Sequence, residues 1–134
     1  MKAIAHFSQI ETHLISLIRN SKSSIKIVVA WLTSVEIMGE LISKAEAGVK
    51  VAVIISNSEI NFRDRSLLDK LIEFGGEVKV GLPTSNFIHH KFGIFDDRYL
   101  INGSYNFKFM EKTSNLENII IFEFDGETSL LKQF

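Results

Sequence analysis

Apolar positions along this chain recur with two periods, near 3.6 and 2, and the points where one gives way to the other predict the elements. "MKAIAHF" alternates and predicts a short first strand. "SQIE" behind it offers a capping box, Ser8 with Glu11, for a helix whose apolar stripe is Ile10, Leu14, Leu17 and Ile18. The polar cluster "RNSKS" stops that helix, and the β-branched run "SIKIVVAW" predicts a strand buried on both faces. A second capping box, Thr33 with Glu36, opens a helix with inward residues Val35, Met38, Leu41, Ile42 and Ala45, ended by Gly48. "VKVAVIIS" is the next strand, and a strand, helix, strand order with a short return link makes the two strands parallel neighbours.

"NSEINFRD" reads as a polar loop, Leu67, Leu68, Leu71 and Ile72 as a third amphipathic helix, and Gly75 with Gly76 as its stop before the strand "EVKV". Pro83 sits in the loop "GLPTSN". From Phe87 the pattern changes to strands on tight links, "FIHHKFGIF", "RYLIN" and, after the loop "KFMEKTS", "ENIIIFEF", which predicts antiparallel pairing. The tail "DGETSLLKQF" reads as the start of a further helix. The expected fold is α/β, a mixed, largely parallel β-sheet flanked by helices in the order β-α-β-α-β-α-β-β-β-β-α. Residues 1–134 form one domain, alone or as part of a longer protein.

Composition adds bounds. The chain has 134 residues, 46% hydrophobic and 23% charged, enough for one continuous core. It has no cysteine, which removes disulfides and thiolate metal sites. Its longest apolar run, "IVVAWL", falls far short of the roughly 20 residues a membrane span needs. No signal-peptide pattern opens the chain, so the expected location is cytoplasmic, with no membrane span. Net charge is −1, with 8 basic against 6 acidic residues in 1–67 and 7 against 10 in 68–134. That balance carries no basic footprint, so a nucleic-acid partner has to be argued from a site.

The candidate chemistry lies in "FIHHKFGIFDDRYLINGSYNF", Phe87 to Phe107. In a strand, His89, Lys91, Gly93 and Phe95 share one face, and Ile88, His90, Phe92 and Ile94 the other. The adjacent histidines therefore cannot face one ion, although a metal site from His89, Asp96 and residues elsewhere stays open. A plain polar hairpin accounts for Asp, Asn and Gly in turns. It gives no reason for a lysine beside His89 or for a Gly-Ser turn and an asparagine at set distances.

His89, Lys91 and Asp96 spell H-x-K-x-x-x-x-D, and Gly103, Ser104 and Asn106 follow as G-S-x-N. This resembles the HKD signature of the phospholipase D superfamily, and "AEAGVKVAVIIS" and "NLEN" extend the likeness over nearly the whole chain. The resemblance implies a metal-independent phosphodiesterase without cofactor. Neutral imidazole can attack an anionic phosphodiester, and lysine and amide donors can hold its oxygens. In that scheme His89 is the nucleophile that forms a phosphohistidine. Lys91 and Asn106 bind the phosphate, Ser104 stands near it, and Glu117 orients the imidazole. Asp96 supports the hairpin, and Gly103 permits the turn.

Family enzymes take a second histidine from a second motif. This chain has one motif, since His6 is followed by Phe7 and Ser8, and His13 by Leu14 and Ile15. The resemblance therefore implies a homodimer with one composite site that uses His89 twice. Small single-motif members that dimerise are often endonucleases, so nucleic acid is the expected substrate. A phospholipid substrate is the rival, with Phe87, Phe92, Tyr105, Phe107 and Phe109 near the site, and a scaffold without turnover or the nuclease part of a larger defence protein are further alternatives. Asp97, His90, His6 and His13 are expected to be non-catalytic. Lys108 stands where many members have a small hydroxyl residue, and it reads as a solvated loop charge.

Overall fold

The computed structural model describes residues 1–84, 86–108, 115–126 and 129–134. The chain runs β1 (Lys2–His6), α1 (Ile10–Asn20), β2 (Ser24–Val29), α2 (Val35–Glu46), β3 (Lys50–Ile55), a 3-10 turn (Glu59–Phe62) and α3 (Ser66–Glu73). It continues with β4 (Glu77–Val80), β5 (Lys91–Phe95), β6 (Tyr99–Gly103), β7 (Ile119–Glu123) and a closing 3-10 turn (Leu131–Gln133). The strands form one sheet in the order β1-β7-β6-β5-β2-β3-β4.

The sheet is mixed, as the periodicity predicts. Parallel pairing is confined to β2 with β3 and β3 with β4, the pairs joined by helical crossovers. The other four pairings are antiparallel, so the parallel share is smaller than expected. A short link reverses direction between β5 and β6, while the β2–β5 and β1–β7 pairs join strands remote in the chain, which no helical crossover constrains to be parallel. The first strand then closes the far edge against β7, Lys2 opposite Glu123.

All three helices lie on one face. Leu14, Ile18, Ile37, Met38, Leu41, Leu68 and Leu71 pack there on Ile25, Ile27, Val29, Val51, Val53, Ile55 and Phe95. Strand β2 is consequently not buried on both faces: Lys26 is exposed and Val28 only half-buried. On that second face Ile94, Leu100, Phe124 and Leu131 form a smaller cluster. The tail expected to start a helix supplies Leu131 from its 3-10 turn, and its Glu127 and Thr128 lie outside the described residues. Among the described residues no helix is long and apolar enough to cross a membrane.

Both capping boxes are displaced. Gln9, at φ 50°, precedes α1 and makes no side-chain cap, and Ser8 is not the cap residue. At α2 the cap is Ser34, whose Oγ accepts the Ile37 N–H at 3.2 Å, and not Thr33, whose own N–H is held by the Phe107 carbonyl at 2.8 Å. The one-residue shift turns Ile37 inward and leaves Val35 exposed. Ile72 of α3 is likewise half-exposed. Gly48 and Gly75, at φ 90° and 95°, end α2 and α3 as expected.

The β5–β6 hairpin turns through Asp96 and Asp97, both at positive φ, and the Arg98 N–H closes on the Phe95 carbonyl at 3.0 Å. Asp96 then anchors the hairpin to the start of β2. Its Oδ1 accepts the N–H groups of Ser23 and Ser24 and the Ser23 hydroxyl, at 2.8, 3.0 and 2.9 Å, and its Oδ2 accepts the Lys22 N–H at 2.9 Å. Burial pushes the Asp96 carboxyl up, but these four donors outweigh it and hold the group below its ordinary value.

A depressed carboxylate stabilises the fold fully above its unfolded pKa, about 3.9, and loses that contribution as pH falls through the lower native value. Asp96→Asn keeps shape and tolerance of positive φ, and should lower stability at pH 7 by about 1 kcal/mol, a figure reduced for the partial exposure of the site. In urea titrations the difference between native protein and variant should shrink toward pH 3. A gap that stays constant with pH would show that the carboxylate charge contributes nothing.

Candidate active site

Four strand ends meet at one end of the sheet because β5 runs against β2, β6 against β5 and β7 against β6. The exits of β2 and β6 therefore lie beside the entrances of β5 and β7, with Val29 opposite Lys91 and Gly103 opposite Ile119. The segments leaving β2 and β6 are spliced together. The Phe107 N–H donates to the Trp31 carbonyl at 3.1 Å, and the Thr33 and Ser34 N–H groups donate to the Phe107 carbonyl at 2.8 and 3.0 Å. Asn106 is buried in that splice, with Oδ1 accepting the Trp31 N–H at 3.3 Å.

A second amide holds the same turn from beneath. Asn61 is buried, donates from Nδ2 to the Ala30 and Ser56 carbonyls at 2.9 and 3.0 Å, and accepts the Leu32 N–H at 2.9 Å. It lies within the stretch predicted to be a polar loop. No periodicity marks such a residue, since its partners are backbone groups, two of them about thirty positions away.

Strand β5 begins at Lys91, later than the predicted Phe87, so His89 and His90 precede the ladder. The His90 carbonyl accepts the Ala30 N–H at 3.1 Å, and its ring lies 6.1 Å from that of Phe92, the partner expected on its face. Lys91 Nζ donates to the His89 carbonyl at 2.8 Å. Burial lowers the Lys91 pKa, and the charge of Glu117 acts against that shift. The His89 side chain is exposed, its ring 6.2 Å from Phe87.

Glu117 and Asn106 line a common cleft with Tyr105, Arg63 and Lys108. His89 and Lys91 lie outside that lining. Ser104 is tied to β7: its N–H donates to the Asn118 carbonyl at 3.0 Å, and its Oγ accepts the Asn118 N–H at 3.1 Å. Gly103 serves close strand approach, not a positive-φ turn. A Cβ there would collide with the Asn118 carbonyl oxygen and come within 2.8 Å of the Ile119 Cα. Asp96 anchors the far end of β5, so it does not join His89 in a metal site. No group of three or more His, Cys, Asp or Glu residues able to hold an ion occurs among the described residues.

Tyr105 and Glu11 are a pair the sequence reading does not contain. The Tyr105 hydroxyl donates to Glu11 Oε2 at 3.3 Å, and the Ser34 hydroxyl donates to the same oxygen at 3.1 Å. Burial raises the Tyr105 pKa far above its ordinary value, and Glu11, Glu117 and Glu36 raise it further. Glu11 therefore joins α1 to the cap of α2 and to the residue before Asn106, which explains why it caps nothing. His6 and His13, whose ring centroids lie 3.7 Å apart with the planes tilted by 32°, take no part in lining the cleft. Phe109, like the rest of 109–114, lies outside the described residues.

A family model described as cardiolipin synthase, PLD-like domain, matches residues 14–134. A mitochondrial cardiolipin hydrolase of Chlamydomonas reinhardtii is 32% identical over 98 residues, 73% of this chain and 43% of that protein. The Danio rerio protein of the same description is 28% identical over 128 residues, 96% of this chain and 53% of that one. The chain thus spans about half the length of these curated relatives. Among solved structures, Nuc of Salmonella typhimurium, a phospholipase D family member, superposes with a TM-score of 0.81 at 21% identity, covering 98% of this chain and 88% of its own. NucT from Helicobacter pylori gives 0.79 at 24%, covering 98% and 89%. At these identities the structural matches speak for the fold.

Replacing Gly103 by Ala forces β6 and β7 apart where Ser104, Asn106 and Glu117 are set. The expected cost is about 2 kcal/mol or more in chemical denaturation. A variant as stable as the native protein would mean that the two strands yield freely at this point.

Proposed function

The chain belongs to the phospholipase D superfamily, and on that footing we propose that it is a metal-independent phosphodiesterase acting through His89. An imidazole nitrogen of His89 attacks phosphorus, a P–N bond forms as the P–O bond to the leaving alkoxide breaks, and the alkoxide takes a proton. Water then cleaves the P–N bond, leaving a phosphomonoester and free histidine. Lys91 and Asn106 hold the non-bridging oxygens, and Glu117 accepts a hydrogen bond from the N–H of the other ring nitrogen to fix the tautomer. The observation that carries the reading is the convergence at one sheet end of a partly buried lysine, a buried amide and a half-buried carboxylate, with His89 attached through its carbonyl to that lysine.

The histidine that protonates the leaving oxygen is His89 of a second copy, so the working unit is a homodimer with one composite site. Nucleic acid is the leading substrate. With near-zero net charge its backbone is held by the site and not by a broad basic surface. A phospholipid is the second reading. It is favoured by the cardiolipin hydrolases among the relatives and by the exposed apolar residues Phe87 and Leu116, which neighbour His89 and Glu117 in the chain.

The native protein should cleave bis-(p-nitrophenyl) phosphate and at least one of single- or double-stranded DNA, RNA and cardiolipin vesicles with EDTA present. Loss of activity on chelation removes the metal-free mechanism. His89→Ala should lower kcat by roughly three orders of magnitude or more while light scattering still reports a dimer. An active monomer sinks the shared site, and substantial turnover by the variant sinks His89 as the nucleophile.

A further inference from the structure

The cleft beside Asn106 carries charge that this chemistry leaves unused. It measures about 440 Å³, within the range of small-ligand sites, and lies between the turn after β2, the 3-10 turn and α3. Met38, Leu67 and Leu68 form an apolar part of its wall, and Asn106 opens onto it. Two cations stand in it, Arg63 beyond the 3-10 turn and Lys108 two residues after Asn106.

Two acids, Asp64 and Glu117, also line the cleft. Asp64 Oδ1 accepts the Ser66 N–H at 2.9 Å at the start of α3, and Glu117 acts on Lys91. Neither Arg63 nor Lys108 forms an ion pair among the described residues. Lys108 is also not the loose loop charge that its sequence position suggests: its Nζ sits 5.4 Å from the centroid of the Trp31 ring, within cation–π range. A cation steadied on an aromatic face keeps its charge while part of its side-chain freedom is already spent, which lowers the ordering cost of capturing an anion. Arg63 adds a planar fork suited to two phosphate oxygens.

We infer that this cleft is a subsite for a second phosphate, the neighbour of the phosphodiester being cut. The protein then prefers substrates that carry phosphates in tandem over isolated phosphodiesters. The inference rests on the reading of Asn106 as a ligand of the scissile phosphate. Nucleic-acid backbones and lipids with two phosphates on one glycerol both present this chemistry, which offers a common basis for the two substrate readings.

The test compares substrates that differ by one phosphate: a thymidine dinucleotide with and without a terminal phosphate, and phosphatidylglycerol phosphate against phosphatidylglycerol in mixed micelles. The second phosphate should raise kcat/KM about tenfold or more in one pair, and that pair identifies the source. Arg63→Gln and Lys108→Gln should collapse the ratio toward one, whereas equal native rates within both pairs overturn the proposal. A readout without turnover separates this failure from failure of the catalytic reading. Trp31 is the sole tryptophan and Lys108 lies over its ring, so an anion captured by Lys108 should change intrinsic fluorescence. Titration with thymidine 3′,5′-bisphosphate should saturate, and each variant, checked for folding by circular dichroism, should weaken it at least fivefold. Saturation that depends on Arg63 and Lys108 in a protein that cleaves nothing upholds the subsite and removes the catalytic reading. No saturable change, or one that ignores both substitutions, removes the subsite.

Discussion

The site depends on a splice between two segments about 75 residues apart. The Trp31 to Ser34 turn and Phe107 exchange three backbone hydrogen bonds, and Asn106 adds its side chain to the Trp31 N–H. Without that splice the exits of β2 and β6 would each carry unpaired backbone groups under a helix layer, a cost of order 1–3 kcal/mol apiece. With it, the backbone around Asn106 is anchored on both sides, and only the amide's remaining capacity is open to a ligand. Rigid backbone of this kind is what a preorganised anion site requires.

Around the splice the polar residues divide into those that hold the frame and those free to act. Asn61, Glu11, Ser34, Asp96 and Ser104 all use hydrogen-bonding groups on backbone or on one another. Lys91, Glu117, Arg63 and Lys108 retain charge that the frame does not consume, and they gather around the same end of the sheet. A protein with a net charge of −1 can therefore still place Arg63 and Lys108 together in one cleft, since the field near a ligand follows the nearest charges and not the total.

The two faces of the sheet play unequal parts. The three helices cover one face and bring the caps of α1 and α2 toward Tyr105, which is how Glu11 reaches both Ser34 and the residue before Asn106. The other face carries a smaller cluster closed by the C-terminal turn, together with the exposed Lys26 held by Asp97 at 2.8 Å. The hairpin turn that anchors β5 through Asp96 thus sits at the opposite end from the chemistry.

The local pattern of the chain determined most elements, because hydrophobic period and glycine stops act over a few residues. The three helices, the parallel pairing of β2 with β3 and the β5–β6 hairpin were all legible, and so was the family, through residues set at short fixed spacings from His89 to Asn106. Tertiary structure alone decided what depends on distant partners. Ser34, not Thr33, caps α2, its Oγ accepting the Ile37 N–H while the Phe107 carbonyl holds the N–H groups of both residues. Gly103 is required by the Asn118 backbone across β7, and Asn61 is bound to a turn thirty residues away. The posture of Lys108 over Trp31 was equally invisible, since a side chain's charge is written in the sequence while the surface that holds it is made only when remote segments meet.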